Sequence, residues 1–153
     1  MALRHPCCEP HHAHIAGVCV DCACAAAVRG NEGASESALE SMAGVLIDLA
    51  QVDQVPSALV SSELVGACVR VLKRGRLAPA FHSLRLMTVI AKLVVSRPEL
   101  SSEEPFGSHL ASLCALLRPR LDSDETDVCV ACCHFVNEIA CSAAYVPHLI
   151  GLG

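Results

Sequence analysis

The sequence predicts an all-α protein built as a stack of similar helical units, and three observations carry that expectation. Apolar residues recur at spacings of three and four through most of the chain after residue 35, which is the period of one helix face. The core material is aliphatic: hydrophobic residues make up 53%, aromatics only 3%, and Trp is missing. Small aliphatic side chains suit helix-on-helix packing better than the aromatic and β-branched strands of a sandwich. The pattern also recurs. Leu72 and Leu117 hold the same place in successive units 45 residues apart, and Leu49 and Ile139 do so at twice that interval. The middle unit fits with a slip of one residue near position 94. A period in the forties is typical of helical solenoids.

Each helix has its own signals. Ser37-Ala38-Leu39-Glu40 has capping-box spacing, and Leu39, Met42, Ala43, Leu46, Leu49 and Ala50 continue as one apolar stripe. A short segment from Pro56 to Val60 follows, with Pro at a first helical turn. Ser61 or Ser62 caps the next helix, which runs through Leu64, Val65, Cys68, Val69 and Leu72 and stops at Gly75. Pro79 opens a long helix carrying Phe81, Leu84, Met87, Ile90, Ala91 and Val94. A break at 96–104 precedes a helix that starts at Pro105, carries Phe106, Leu110, Leu113, Cys114 and Leu117, and stops before Pro119. Asp122-Ser123-Asp124 is N-cap material for a helix through Val128, Cys132, Phe135, Val136, Ile139 and Ala140. Tyr145 to Ile150 forms a short last helix.

The stretch Leu39 to Gly75, LESMAGVLIDLAQVDQVPSALVSSELVGACVRVLKRG, resembles a whole armadillo unit: a first helix ending in Leu-Ala, a short second helix, and a third ending in Val-Leu. Phe135-Val136-Asn137-Glu138-Ile139-Ala140 resembles the Leu-x-Asn-Leu-Ala end of an armadillo first helix, with one extra residue. HEAT-like repeats are the close alternative. The resemblance covers residues 35–153 and implies a short right-handed helical solenoid of about two and a half units, with a groove lined by the third helix of each unit. There are departures. The glycine usual after the first helix is not evident, and the third unit stops where its third helix should begin. The Asn and Trp ladders with which armadillo importins hold basic peptides are absent. The third helices offer Glu63, Arg70, Lys73, His109 and Ser112 instead, and these are the expected partner contacts. The resemblance thus implies a scaffold that binds a protein partner, not nuclear-signal binding. A ragged C-terminal end would leave Leu149 and Ile150 uncovered, which points to self-association, a covering partner or a shortened parent chain.

Net charge is −5, whereas nucleic-acid binders show a basic excess or stripe. The one basic cluster, Arg70, Lys73, Arg74 and Arg76, falls at a helix C-terminus, where it complements the dipole. No stretch reaches the length needed to span a bilayer. Residues 15–28 are apolar and end in small residues, but Asp21 interrupts them and Glu9, His11, His12 and His14 precede them, whereas a secretory leader has a basic start and an uninterrupted apolar stretch. Cysteine is abundant, at 11, and odd in number. Most later cysteines fall at apolar helical positions, where the thiol packs as a small hydrophobe. A reducing compartment, cytoplasm or nucleus, follows.

Residues 1–34 form a Cys/His-rich extension and linker. Cys8-x2-His11-x7-Cys19-x2-Cys22 supplies four ligands of the kind that hold structural zinc, as two close pairs with a loop between them. It resembles the opening half of a B-box zinc domain, whose second half is missing. Either this segment wraps a structural zinc or it is a Cys/His-rich tail with adventitious metal affinity. Catalytic signatures are sparse. Cys129-x2-Cys132-Cys133-His134 lacks the strand-to-helix setting of a redox pair, and its cysteines read as core packing. No nucleophile elbow, phosphate loop or EF-hand loop occurs. The expected function is therefore a protein-interaction scaffold, not an enzyme. The alternative is a metal- or thiol-dependent enzyme using the N-terminal Cys/His cluster.

Overall fold

The structure is a computed structural model, and it describes residues 11–29, 32–51, 57–74, 77–100, 105–122 and 124–150. Seven α-helices follow in order among these residues: α1 (His12–Arg29), α2 (Glu32–Leu49), α3 (Ser62–Lys73), α4 (Leu77–Ser96), α5 (Leu110–Leu121), α6 (Thr126–Ala140) and α7 (Val146–Ile150). Three 3₁₀ turns join them, at Ser57–Leu59, Pro98–Leu100 and Gly107–His109. No strand occurs among the described residues, and no helix there is long and apolar enough to cross a membrane.

The long helices α2, α4 and α6 lie side by side, with α4 in the middle. Two polar contacts mark their register. His82 Nε2 on α4 lies 3.1 Å from Glu40 Oε1 on α2, and Lys92 Nζ on α4 lies 3.9 Å from Glu138 Oε1 on α6. Glu40 falls midway along α2 and His82 early in α4, whereas Lys92 and Glu138 fall late in α4 and α6. Behind them, α3 packs on α4 and α5 packs on α6. Helix α1 packs on α2, α3 and the first 3₁₀ turn, burying Ala16 and Val20. The segment read as an appendage therefore contributes a helix to the common core. Alanine-rich sequence favours this helix, because Ala has the highest intrinsic helix propensity.

The core is continuous and mostly aliphatic. Leu84, Met87, Ile90 and Ala91 on α4 are almost fully buried. Complete burial of such a large apolar side chain contributes roughly 2 kcal/mol. Helix α3 is buried nearly all round, from Leu64 to Val69 and again at Val71 and Leu72, leaving a narrow polar stripe of Glu63, Arg70 and Lys73. Three of the four Phe and Tyr residues meet at the other end of the stack. The Phe106 ring centroid lies 5.6 Å from that of Phe135 and 5.9 Å from that of Tyr145, and all three side chains are buried. They tie the entry to α5, helix α6 and the turn before α7 into one cluster. Beyond it, Leu149 is half-buried and Ile150 is 74% exposed.

Several helix ends differ from the sequence expectation. Helix α2 begins at Glu32, so Ser37 lies inside it and is not its N-cap. Glu at the first helical position complements the positive end of the dipole, and the following Ala residues propagate the helix. Ser61 does cap α3: its Oγ accepts the Leu64 N–H at 3.2 Å. Arg74 is the C-cap of α3, and Gly75 lies outside the described residues. The N-cap of α6 is Glu125 rather than the preceding Asp-Ser-Asp, with no side-chain cap bond. Helix α5 passes through Pro119 to Leu121. Pro119 has no N–H to donate to the preceding turn, and Arg120 supplies a tie that the backbone lacks. Its guanidinium donates to the Leu116 carbonyl and to the Leu72 carbonyl at the end of α3, both at 2.6 Å.

That double bond makes Arg120 the clamp between the ends of α3 and α5. Replacing it with Met keeps the apolar stem and removes both donors. The expected loss is about 1.5 kcal/mol, since hydrogen bonds from charged donors are stronger than neutral ones, or roughly 4 °C in thermal midpoint for a chain of this size. A calorimetric scan of Arg120→Met beside the parent chain checks it.

Candidate functional site

The α3 stripe and the start of α5 enclose a shallow polar depression of ≈ 360 Å³, lined by Ser62, Glu63, Gly66, Arg70, Ser108 and His109. Three of the expected partner contacts, Glu63, Arg70 and His109, therefore line one depression, from α3 and from the 3₁₀ turn before α5. Lys73 is exposed one turn beyond Arg70 on the same face of α3, and Ser112 is half-buried one turn beyond Ser108 on α5. Neither lines the depression itself. Glu63 and Arg70 are both exposed and seven residues apart, about 10.5 Å along the helix axis. They give the depression an acidic end and a basic end.

His109 forms the seam. Its Nε2 lies 3.1 Å from the Ser62 carbonyl oxygen and 3.2 Å from Ser62 Oγ, and Ser108 Oγ lies 3.5 Å from Ser62 Oγ. A carbonyl only accepts, so Nε2 carries the proton and donates to it. That assignment decides the chemistry. A serine beside a histidine resembles a nucleophile and its base, but a protonated Nε2 has no lone pair with which to take the Ser62 proton. In this geometry the imidazole is a strut between α3 and α5. Gly66 makes room for it: a Cβ at that position would stand 3.2 Å from His109 Cε1 and 3.3 Å from Nε2.

Ser62, Gly66 and Ser108 were not among the sequence-predicted contacts. Gly66 carried a signal, because a glycine inside a helix costs about 1 kcal/mol relative to alanine and marks a close approach. Ser62 and Ser108 carried none beyond their adjacency to Glu63 and His109.

The four expected zinc ligands are distributed differently. Cys8 lies outside the described residues. His11 stands just before α1, while Cys19 and Cys22 are inside it. The loop expected between the two ligand pairs is helix, and the seven helical residues between His11 and Cys19 set them about 12 Å apart along the axis. Helix α1 brings Cys19 and Cys22 one turn apart but does not bring His11 to them. Burial raises the Cys19 thiol, and the neighbouring Cys22 raises it further. Among the described residues, no three His, Cys, Asp or Glu side chains converge as a metal set.

The α6 cysteines differ in their surroundings. Cys132 is fully buried in the core, Cys129 is half-buried with its thiol donating to the Leu121 carbonyl at 3.3 Å, and Cys133 is exposed. Burial pushes the Cys132 thiol up to about 11, against the pull of the Arg120 charge. Burial likewise raises Cys129, with Cys133 and Asp122 adding to it. These groups stay protonated at neutral pH, so they lack the lowered pKa of reactive thiols.

No protein family, curated protein or solved structure matches the chain.

The Cys132 environment has a measurable consequence. Its folded pKa exceeds the unfolded thiol value near 9, so the folded state holds its proton more tightly. The resulting stabilisation is complete below that unfolded value and disappears as pH rises through about 11. Chemical denaturation between pH 9 and pH 11 should show a loss of about 2 kcal/mol from this group. Cys132→Ala should remove that share of the pH slope. An unchanged slope would mean that Cys132 is not buried as described.

Proposed function

We propose that this chain is a protein-interaction scaffold: a short right-handed armadillo-like helical solenoid that holds a partner across its α3/α5 face. The observation that carries this reading is the convergence of Glu63, Arg70 and His109, from α3 and from the 3₁₀ turn before α5, on one polar depression. The solenoid is supported by the element order. A long helix, one or two 3₁₀ turns and a medium helix occur twice, as α2 to α3 and as α4 to α5, and α6 is followed by the short helix α7. Stacked units of this kind present one helix each to a continuous surface.

Binding is favoured over catalysis by the nature of that surface. The depression is shallow and open, and it does not exclude water as a catalytic pocket does. Its charges are ordered, with Glu63 at one end and Arg70 at the other, and Lys73 stands one turn beyond Arg70. A partner segment suits it when a basic group meets Glu63 and a carboxylate meets the Arg70 end. An extended chain spans the distance in about three residues. Ser62, Ser108 and Ser112 add hydroxyls for the partner's backbone. The abundant cysteines at apolar helical positions support a reducing compartment, the cytoplasm or nucleus, as the setting of this activity.

Affinity capture from cell extract with the full chain tests the reading. Changing Arg70 and His109 together to Glu reverses charge at the basic end and removes the seam. Capture of the specific partner should fall by roughly tenfold or more, equivalent to about 1.4 kcal/mol, while helicity by circular dichroism is retained. Arg70→Glu alone carries the test if the double variant loses helicity. Undiminished capture by a folded variant would remove the assignment.

A further inference from the structure

A second surface lies on different helices and owes nothing to the α3/α5 depression. Between α2 and α6, with α4 as its floor, runs an apolar trough of ≈ 320 Å³. Ile47 from α2, Phe81 and Val89 from α4, and Val130 from α6 line it, and Val130 is 48% exposed. Arg85 and His134 stand among these side chains, and among the described residues no carboxylate lines the trough. The chain as a whole carries a net charge of −5, so the trough reverses the local sign. The Arg85 guanidinium lies 5.7 Å from the Phe81 ring centroid, a cation–π contact that holds the charge at the wall.

We propose that this trough is a docking site for an acidic amphipathic helix of another protein. Charge complementarity sets the sign: Arg85 forms no ion pair within the described residues, and a carboxylate on the guest would meet it. The chemistry of the floor sets the conformation. Among the described residues Thr88 is the one that brings a hydroxyl to the trough, and its Oγ1 already donates to the Leu84 carbonyl at 2.8 Å. An extended guest would lay backbone N–H and C=O groups on a surface with almost nothing to receive them, which is costly. A helix satisfies its own backbone and offers only side chains. Its ridges also suit a trough walled by two helices and floored by a third. The guest's apolar stripe sits over Phe81, Val89 and Val130, with its carboxylates beside Arg85 and His134.

The probe is a fluorescein-labelled amidated peptide about 18 residues long, or five helical turns, with Leu at i, i+3, i+4 and i+7 and Glu flanking the stripe. Its counterpart has every Glu replaced by Lys. Fluorescence anisotropy against the full chain should show the acidic peptide binding at least roughly tenfold more tightly than the basic one. Val130→Asp places a charge on the apolar wall and should weaken the acidic peptide by roughly tenfold. Arg85→Glu should invert the preference between the two peptides. That variant, at an exposed position, decides the matter if Val130→Asp loses helicity. Equal binding of both peptides, failure of the acidic one to bind, or indifference to Arg85→Glu would overturn the proposal. So would sedimentation showing a wild-type dimer that Val130→Asp disperses, because the occupant would then be a second copy of this chain. Loss of partner capture through Arg70 and His109 is read separately and leaves these outcomes unchanged.

Discussion

The structure depends on one constraint: the aliphatic faces of α2, α4 and α6 must meet in a common register while the chain returns each time through a turn and a second helix. The tertiary contacts show how tightly that register is kept. Ser62 to Ser108, Ser62 to His109 and Leu72 to Arg120 are separated by 46, 47 and 48 residues. Glu40 to His82 and Lys92 to Glu138 fall at 42 and 46. These separations bracket the 45-residue recurrence of Leu72 and Leu117 in the sequence. Burial supplies the drive, since an amphipathic helix gains most of its stability from packing rather than propensity. The polar contacts choose among the registers that burial alone would tolerate.

Both surfaces of interest lie at seams between packed helices and differ because the seams differ. On the α3/α5 side the seam is polar. His109 reaches across to the Ser62 carbonyl, Gly66 yields the space, and Glu63 and Arg70 stand free at the margins. On the α2/α4/α6 side the seam is aliphatic and is bordered by Arg85 and His134. One stack thus offers two faces of unlike chemistry. The polar face suits an extended segment whose backbone needs partners, and the apolar face suits a helix whose backbone needs none.

Much of this was legible in the sequence where a local rule operates. The stripes of α3, α4 and α6, the Ser61 cap and the short helix at Val146–Ile150 follow from spacing and capping chemistry. What escaped was set by distant partners. Pro119 reads as a stop, yet α5 continues, and the Arg120 tie to Leu72 that secures its last turn is invisible without the fold. The Cys and His spacing before residue 25 reads as ligand pairs around a loop. Of these, Cys19 and Cys22 sit in an alanine-rich stretch whose Ala16 and Val20 pack on α2 and α3, and helix results there. Within the site, the charged residues were foreseeable as a stripe on α3. The position of His109 against Gly66 was not, because it depends on the relative placement of two helices.

The apposition of Gly66 and His109 is where fold and function meet: it needs α3 and α5 stacked in the stated register, and it closes the floor of the polar depression. Nuclear Overhauser contacts in the isotopically labelled full chain test it most directly. The account predicts a cross-peak between the His109 Hε1 proton and the Gly66 α-protons, since the ring carbon lies 3.2 Å from where a Cβ would stand on Gly66. A well-resolved Gly66 whose contacts go to another helix, with His109 showing none to α3, would contradict both the stacking and the site.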